Sequence, residues 1–141
     1  MLKFLAFLAL CGLSSALLGI GRQQSASVRG RLQCNGQAAS GVLVKLIEND
    51  SIGKDDFLDG VKTDAEGRFI LSGHAREITN IDPKINIYHD CNDGAKPCQR
   101  KFTISIPDRY ITHAKNPTKV FDAGTLELAG KFPKETRDCL H

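Results

Sequence analysis

Val28-Arg29-Gly30-Arg31-Leu32-Gln33-Cys34 is the stretch whose reading decides the fold class. Val28, Leu32 and Cys34 share one parity, and Arg29, Arg31 and Gln33 share the other. Successive side chains of an extended chain point to opposite sides, so this is a strand with one buried face. Gly36 ends it. Residues 42–47 follow as a more central strand, because Val42, Val44 and Leu46 on one side and Leu43 and Ile47 on the other are apolar. Residues 58–63 are a weaker candidate. Asp64-Ala65-Glu66-Gly67 reads as a turn, since an Asp side chain can bond the backbone ahead of it and Gly tolerates positive φ. Residues 68–71 are the return strand. Alternation recurs over 85–89, over 101–106 with Phe102, Ile104 and Ile106 on one parity, and over 121–128. No stretch carries a helical stripe, and residues 74–82 have room for at most one short helical turn. Seven short runs separated by Gly, Pro, Asn and Asp predict an all-β, seven-stranded antiparallel sandwich of two sheets.

Composition agrees with a folded chain. A length of 141 residues fits one domain, and 41% hydrophobic with 25% charged residues is ordinary for a globular protein. Lys and Arg number 19 against 16 Asp and Glu, a formal net charge of +3, which excludes the strongly basic footprint of a nucleic-acid binder. With no Trp and two Tyr, a platform for stacking bases or sugars is poorly supplied.

The amino terminus reads as an export address. Met1-Leu2-Lys3 gives a positive start, an apolar run follows over 4–13, and Ser14-Ser15-Ala16 supplies small residues for a signal peptidase. The run is shorter than the roughly 20 apolar residues of a membrane span. Cleavage is expected after Ala16, with room for a cut as late as Gly21, leaving one domain over 17–141 that is secreted and has no transmembrane segment. Cys11 falls within the removed segment. Cys34, Cys91, Cys98 and Cys139 remain, and an even number in an exported chain predicts two disulfides. Three pairings are open. The short spacing of Cys91 and Cys98 suits a bridge across one loop, which would leave Cys34 for Cys139. Zinc is disfavoured, because no CxxC pair is present. Asn49-Asp50-Ser51 is a glycosylation sequon, and Asn116-Pro117-Thr118 is blocked by its proline.

Four stretches together resemble the nematode transthyretin-like family: VRGRLQCNGQAASGVLVKLIEND from Val28, TDAEGRF from Thr63, INIYHDCNDGAKPCQRK from Ile85, and IPDRYI from Ile106. The third is the most specific. The resemblance covers nearly all of the chain after the export segment. It implies a secreted sandwich of the transthyretin type with an extracellular role, and brings no catalytic set with it.

Two enzymatic alternatives on related folds meet specific obstacles. Hydroxyisourate hydrolases end in Tyr-Arg-Gly-Ser, whereas this chain ends Arg137-Asp138-Cys139-Leu140-His141. Intradiol iron oxygenases use two Tyr and two His. Tyr88 with His89 and Tyr110 with His113 supply the residue types, but Tyr88 and His89 are neighbours on an expected strand and face opposite ways. No GxSxG elbow accompanies Ser27, Ser40, Ser72 or Ser105. The acidic run Glu48, Asp50, Asp55, Asp56 and Asp59 is expected in a loop. Its oxygens suit calcium, although the spacing is not that of an EF-hand. Lys96, Arg100 and Lys101 around Cys98 form the candidate binding patch, fit for an acidic protein or an anionic lipid surface. The expectation is therefore a secreted binding protein without a cofactor. It would present end loops and a sheet face to a cell-surface protein, a lipid or a small apolar ligand.

Overall fold

Alternation of apolar and polar residues becomes two packed sheets. The computed structural model describes residues 21–50, 52–94 and 96–141. The expected export segment lies outside the described residues, as does Ser51 of the sequon. The strands are β1 (Arg22–Cys34), β2 (Gln37–Ala38), β3 (Leu43–Asn49), β4 (Asp55–Lys62), β5 (Arg68–Glu77), β6 (Pro83–His89), β7 (Gln99–Ser105), β8 (Phe121–Glu127) and β9 (Thr136–Asp138). The seven longer ones fall on the seven runs read from the sequence; β2 and β9 are short additions. One 3-10 turn, Asp108–Tyr110, is the only helical element among the described residues. None of those residues forms a helix long and apolar enough to cross a membrane.

Sheet 1 places β2 and β5 beside β1, with β8 also paired to β1; sheet 2 runs β4-β3-β6-β7-β9. The expected all-antiparallel pairing needs one correction: β8 runs parallel to β1, with Val28 opposite Phe121 and Leu32 opposite Leu126. The chain reaches β8 by crossing over from β7 through residues 106–120. No hairpin sets its direction. The helical turn also falls elsewhere than expected. Residues 74–77 continue β5, because Arg22 to Ser25 of β1 extend the ladder, with Arg22 opposite Glu77 and Ser25 opposite His74. That part of β1 is polar but largely buried, and residues distant in the chain bond the Gln24 side chain and the Ser25 backbone. The Gln24 amide donates to the carbonyls of Thr79 and Glu77, its oxygen accepts from Ile81 N–H, and Ser25 and Thr112 exchange backbone bonds.

The core lies between the sheets, where Val28, Leu32, Phe69 and Leu71 of sheet 1 meet Val44, Leu46, Ile85, Ile87 and Phe102 of sheet 2. Each such side chain contributes about 1.5–3 kcal/mol by leaving water. The turn 64–67 is built as its residues suggest. Asp64 Oδ1 accepts from Glu66 N–H and Arg68 N–H. Gly67 has φ +78, and a Cβ there would run into the Leu32 carbonyl.

Both disulfides form, but not in the expected pairing: Cys34 bonds Cys91, and Cys98 bonds Cys139. The reason is a register the sequence does not display. β9 pairs with β7, placing Gln99 opposite Asp138, so Cys98 and Cys139 are the next residues outward. Cys91, just past β6, is then left for Cys34 at the end of β1. The polar residues 136–138 near the carboxy terminus are thus held as a strand.

Candidate functional site

The expected basic patch does not assemble. Arg100 is buried, and its guanidinium bonds both carboxylate oxygens of Glu135 at 2.8 and 3.1 Å and the carbonyls of Cys91 and Gly130. It clasps the carboxy-terminal segment to β7. Lys101, the next residue, faces the other way. Its ammonium lies 3.5 Å from Asp138 and 5.6 Å from the Tyr88 ring centre. Lys96 alone stands exposed in the loop between β6 and β7. Strand geometry is the cause: adjacent residues on β7 cannot serve one surface.

Three arginines do share a surface, on the outer face of sheet 1. Arg29 and Arg31 occupy the polar parity of β1. The ladder sets Ile70 opposite Arg29 and Arg68 opposite Arg31 on β5, while Asp122 and Thr125 of β8 flank them on the other side. The β1–β8 register shifts between Arg29 and Arg31. This bulge, with Gly124 at φ +75, interrupts the β1–β8 ladder locally. Gly30 has the inward parity of Val28 and Leu32, and the Phe69 ring takes the space a Cβ there would need, 2.7 Å away. The outer surface here holds an open depression of about 510 Å³ lined by Arg29, Arg31, Arg68, Asp64, Ile70 and Asp122, among others.

The acids in this depression are already engaged. Asp64 caps its own turn. Asp122 accepts from Gly124 N–H at 2.8 Å and from Arg29 Nε at 3.3 Å, and these bonds, the backbone one foremost, hold its carboxyl below the usual range. Arg31 Nε donates to the Glu66 carbonyl at 2.9 Å, which steadies the guanidinium and leaves its terminal nitrogens outward. Among the described residues, neither Arg31 nor Arg68 is in an ion pair. The sequence carried a trace of this site in Arg29-x-Arg31 on the polar parity of the first strand. Arg68 joins only through the β1–β5 register.

The remaining candidates are dispersed. Tyr88 faces outward from sheet 2 and stacks on His141 at 4.3 Å between ring centres. His89 faces inward against Phe102, accepts from Cys91 N–H at Nδ1, and has its pKa lowered by burial and then by Arg100. Tyr110 packs on Phe121 near the 3-10 turn, and His113 is exposed. Ser27 donates to the Leu71 carbonyl, while Ser40, Ser72 and Ser105 are exposed. Asn49 ends β3, its amide donating to Asp55 at 2.7 Å. The acidic run is not one loop: Glu48 lies on β3 and Asp55, Asp56 and Asp59 on β4, with only Asp50 between them. Glu48 and Asp56 instead meet Glu77 of β5, the one grouping of metal-ligating side chains found among the described residues.

Comparison with known proteins places this architecture. The family model for the transthyretin-like family matches residues 29–107, more than half of the chain. Transthyretin-like protein 5 of Caenorhabditis elegans is 58% identical over 133 residues, covering 94% of this chain and 96% of its own length. Transthyretin-like protein 2 of the same organism is 46% identical, covering 95% of each chain. Among solved structures, a 9R-lipoxygenase from Cyanothece aligns with 74% of this chain and 16% of its own at 16% identity and a TM-score of 0.45. With the family model spanning β1 to the end of β7 and relatives matching almost end to end, the chain belongs to the transthyretin-like family.

Proposed function

We propose that the protein is an exported, extracellular binding protein, not an enzyme, and that the outer face of β1 and β5 receives an anionic lipid headgroup. The observation that carries this reading is the pair Arg31–Arg68, cross-strand partners of like charge with no carboxylate in ion-pair reach among the described residues. Like charges directly opposite one another destabilise a sheet, so an anion supplied from outside would relieve the pair. Guanidinium forks match phosphate oxygens two at a time. Ile70, 62% exposed beside Arg29, adds an apolar contact that favours a headgroup at a lipid surface over free phosphate. Each arginine near an anionic surface is worth about 1 kcal/mol. Two disulfides suit an oxidising compartment. The opposite orientations of Tyr88 and His89 favour a binder over the iron oxygenase alternative.

Vesicle co-sedimentation tests the proposal. Binding is expected to phosphatidylcholine vesicles carrying an anionic phospholipid and not to phosphatidylcholine alone, to weaken with salt, and to fall at least about tenfold in the Arg31→Ser/Arg68→Ser variant. Inorganic phosphate should compete only weakly. Equal binding to both vesicles, or an unaffected double variant, would overturn the reading.

A further inference from the structure

At one end of the sandwich three carboxylates from three strands face one another. Glu48 of β3 and Asp56 of β4 are cross-strand partners, and Glu77 ends β5. One oxygen from each lies within 4.8 Å of the other two. Glu48 is 1% exposed. Its Oε1 accepts a 3.4 Å bond from Asp82 N–H, while its Oε2 is buried with no hydrogen-bond partner among the described residues. None of the ion pairs among the described residues includes any of the three.

Such a group needs neutralising. A buried carboxylate oxygen without a donor costs free energy, and like charges across a ladder repel. A proton on Glu48 would satisfy its own charge but leave Asp56 and Glu77 facing each other. A multivalent cation would satisfy all three. The donors are all carboxylate oxygens, which select a hard ion and disfavour zinc or copper. Ligand number and flexibility decide between hard ions. Ca²⁺ takes several carboxylates in a flexible shell, whereas Mg²⁺ demands a near-ideal octahedron, keeps several waters and is usually held by one or two carboxylates. Three carboxylates gathered within 4.8 Å of one another therefore favour Ca²⁺. Asp56 and Glu77 are half-buried, which leaves a solvent side for water ligands.

We propose that Glu48, Asp56 and Glu77 form a calcium site that ties β3 and β4 of sheet 2 to β5 of sheet 1. The other acids of the run are not ligands. Asp50 accepts from Ile52 and Lys54 N–H, Asp55 from the Asn49 amide, and Asp59 from Gly60 and Ser72 N–H. The site shares no residue with the arginine face, so either can fail alone. With three protein carboxylates, its affinity belongs in the range of extracellular modules, about 0.1–1 mM.

The test is thermal unfolding of the disulfide-bonded protein at neutral pH with CaCl₂, MgCl₂ or neither, supported by calorimetric titration of CaCl₂. Calcium at about 10 mM is expected to raise Tm by about 5 °C, magnesium by much less. Glu48→Gln keeps the shape of the side chain and should abolish the calcium shift while melting at or above the calcium-free parent. Glu77→Gln, at a less buried position, should weaken calcium binding at least about tenfold. Absence of a saturable calcium shift in the parent, an equal shift with magnesium, or an undiminished shift in both variants would overturn the site.

Discussion

Arg100 and the pair Arg31–Arg68 carry the same charge on neighbouring sheets, and the fold treats them oppositely. Arg100 is enclosed by Glu135 and two carbonyls, and holds the carboxy-terminal segment in place. Arg31 and Arg68 stand across a ladder from one another on an open face, with no carboxylate in ion-pair reach among the described residues. A fully bonded buried arginine is structural, and removing it strands its partner. An exposed arginine opposite another contributes little to the fold (Arg31 adds one Nε bond to the Glu66 carbonyl), and its terminal nitrogens are free for something else. Local density of basic residues in the sequence does not separate these cases; the count of acceptors around each guanidinium does.

The comparison breaks first at the disulfides. Cys98–Cys139 closes the segment that Arg100 clasps, and reducing both bridges should lower stability by about 2–5 kcal/mol each, measured by denaturant unfolding with and without reductant. Peptide mapping of the oxidised protein should recover Cys34 with Cys91 and Cys98 with Cys139. A Cys91–Cys98 peptide would refute the register on which the clasp depends. Next, Arg100→Met should cost about 3–5 kcal/mol, because the Glu135 carboxylate, 8% exposed, loses its cation. A loss below about 1 kcal/mol would show that Arg100 is no more structural than the arginines of the open face.

Glu48 and Glu135 draw the same contrast among acids: one buried carboxylate has a cation, the other has none. Burial, with Glu77, Asp56 and Asp50 adding to it against the Asp82 N–H bond, pushes Glu48 up to about 7 from 4.5. The folded state therefore holds this proton more tightly than the unfolded chain. Its stabilising effect is complete below about pH 4.5 and is lost as pH rises through about 7. In calcium-free buffer the melting temperature should fall between pH 5 and pH 8, and Glu48→Gln should flatten that fall. A parent profile as flat as that of the variant would contradict it. The smallest effect on stability belongs to the open face. Arg31→Ser with Arg68→Ser should change unfolding free energy by no more than about 0.5 kcal/mol, even as vesicle binding is lost. A large destabilisation would return these arginines to the structural class.

Much of the fold was legible. Alternation from Val28 to Leu32 and from Phe102 to Ile106 located strands of sheet 1 and sheet 2, and the turn residues Asp64 and Gly67 performed the roles their chemistry suggests. The polar half of β1 was not legible, since Gln24 and Ser25 are buried by partners more than fifty residues away and look solvent-facing in isolation. The candidate sites were the least legible. Arg100 and Lys101 are consecutive and go to opposite faces. Arg29, Arg31 and Arg68 meet only once β5 is placed beside β1. The acidic run supplied two of three converging carboxylates and missed Glu77, which lies far along the chain.

By itself the sequence determined the all-β class, the places of the seven longer strands though not their full extent, the oxidised state expected of its cysteines and the family likeness. These are local patterns: period, turn chemistry and short words. Only the tertiary structure decided the parallel β1–β8 pair, the partners of Cys34 and Cys98, the burial of Arg100 and the meeting of Glu48 with Asp56 and Glu77. Each of these depends on which strands lie side by side and in what register, and that is settled by packing two apolar faces together over long separations in the chain.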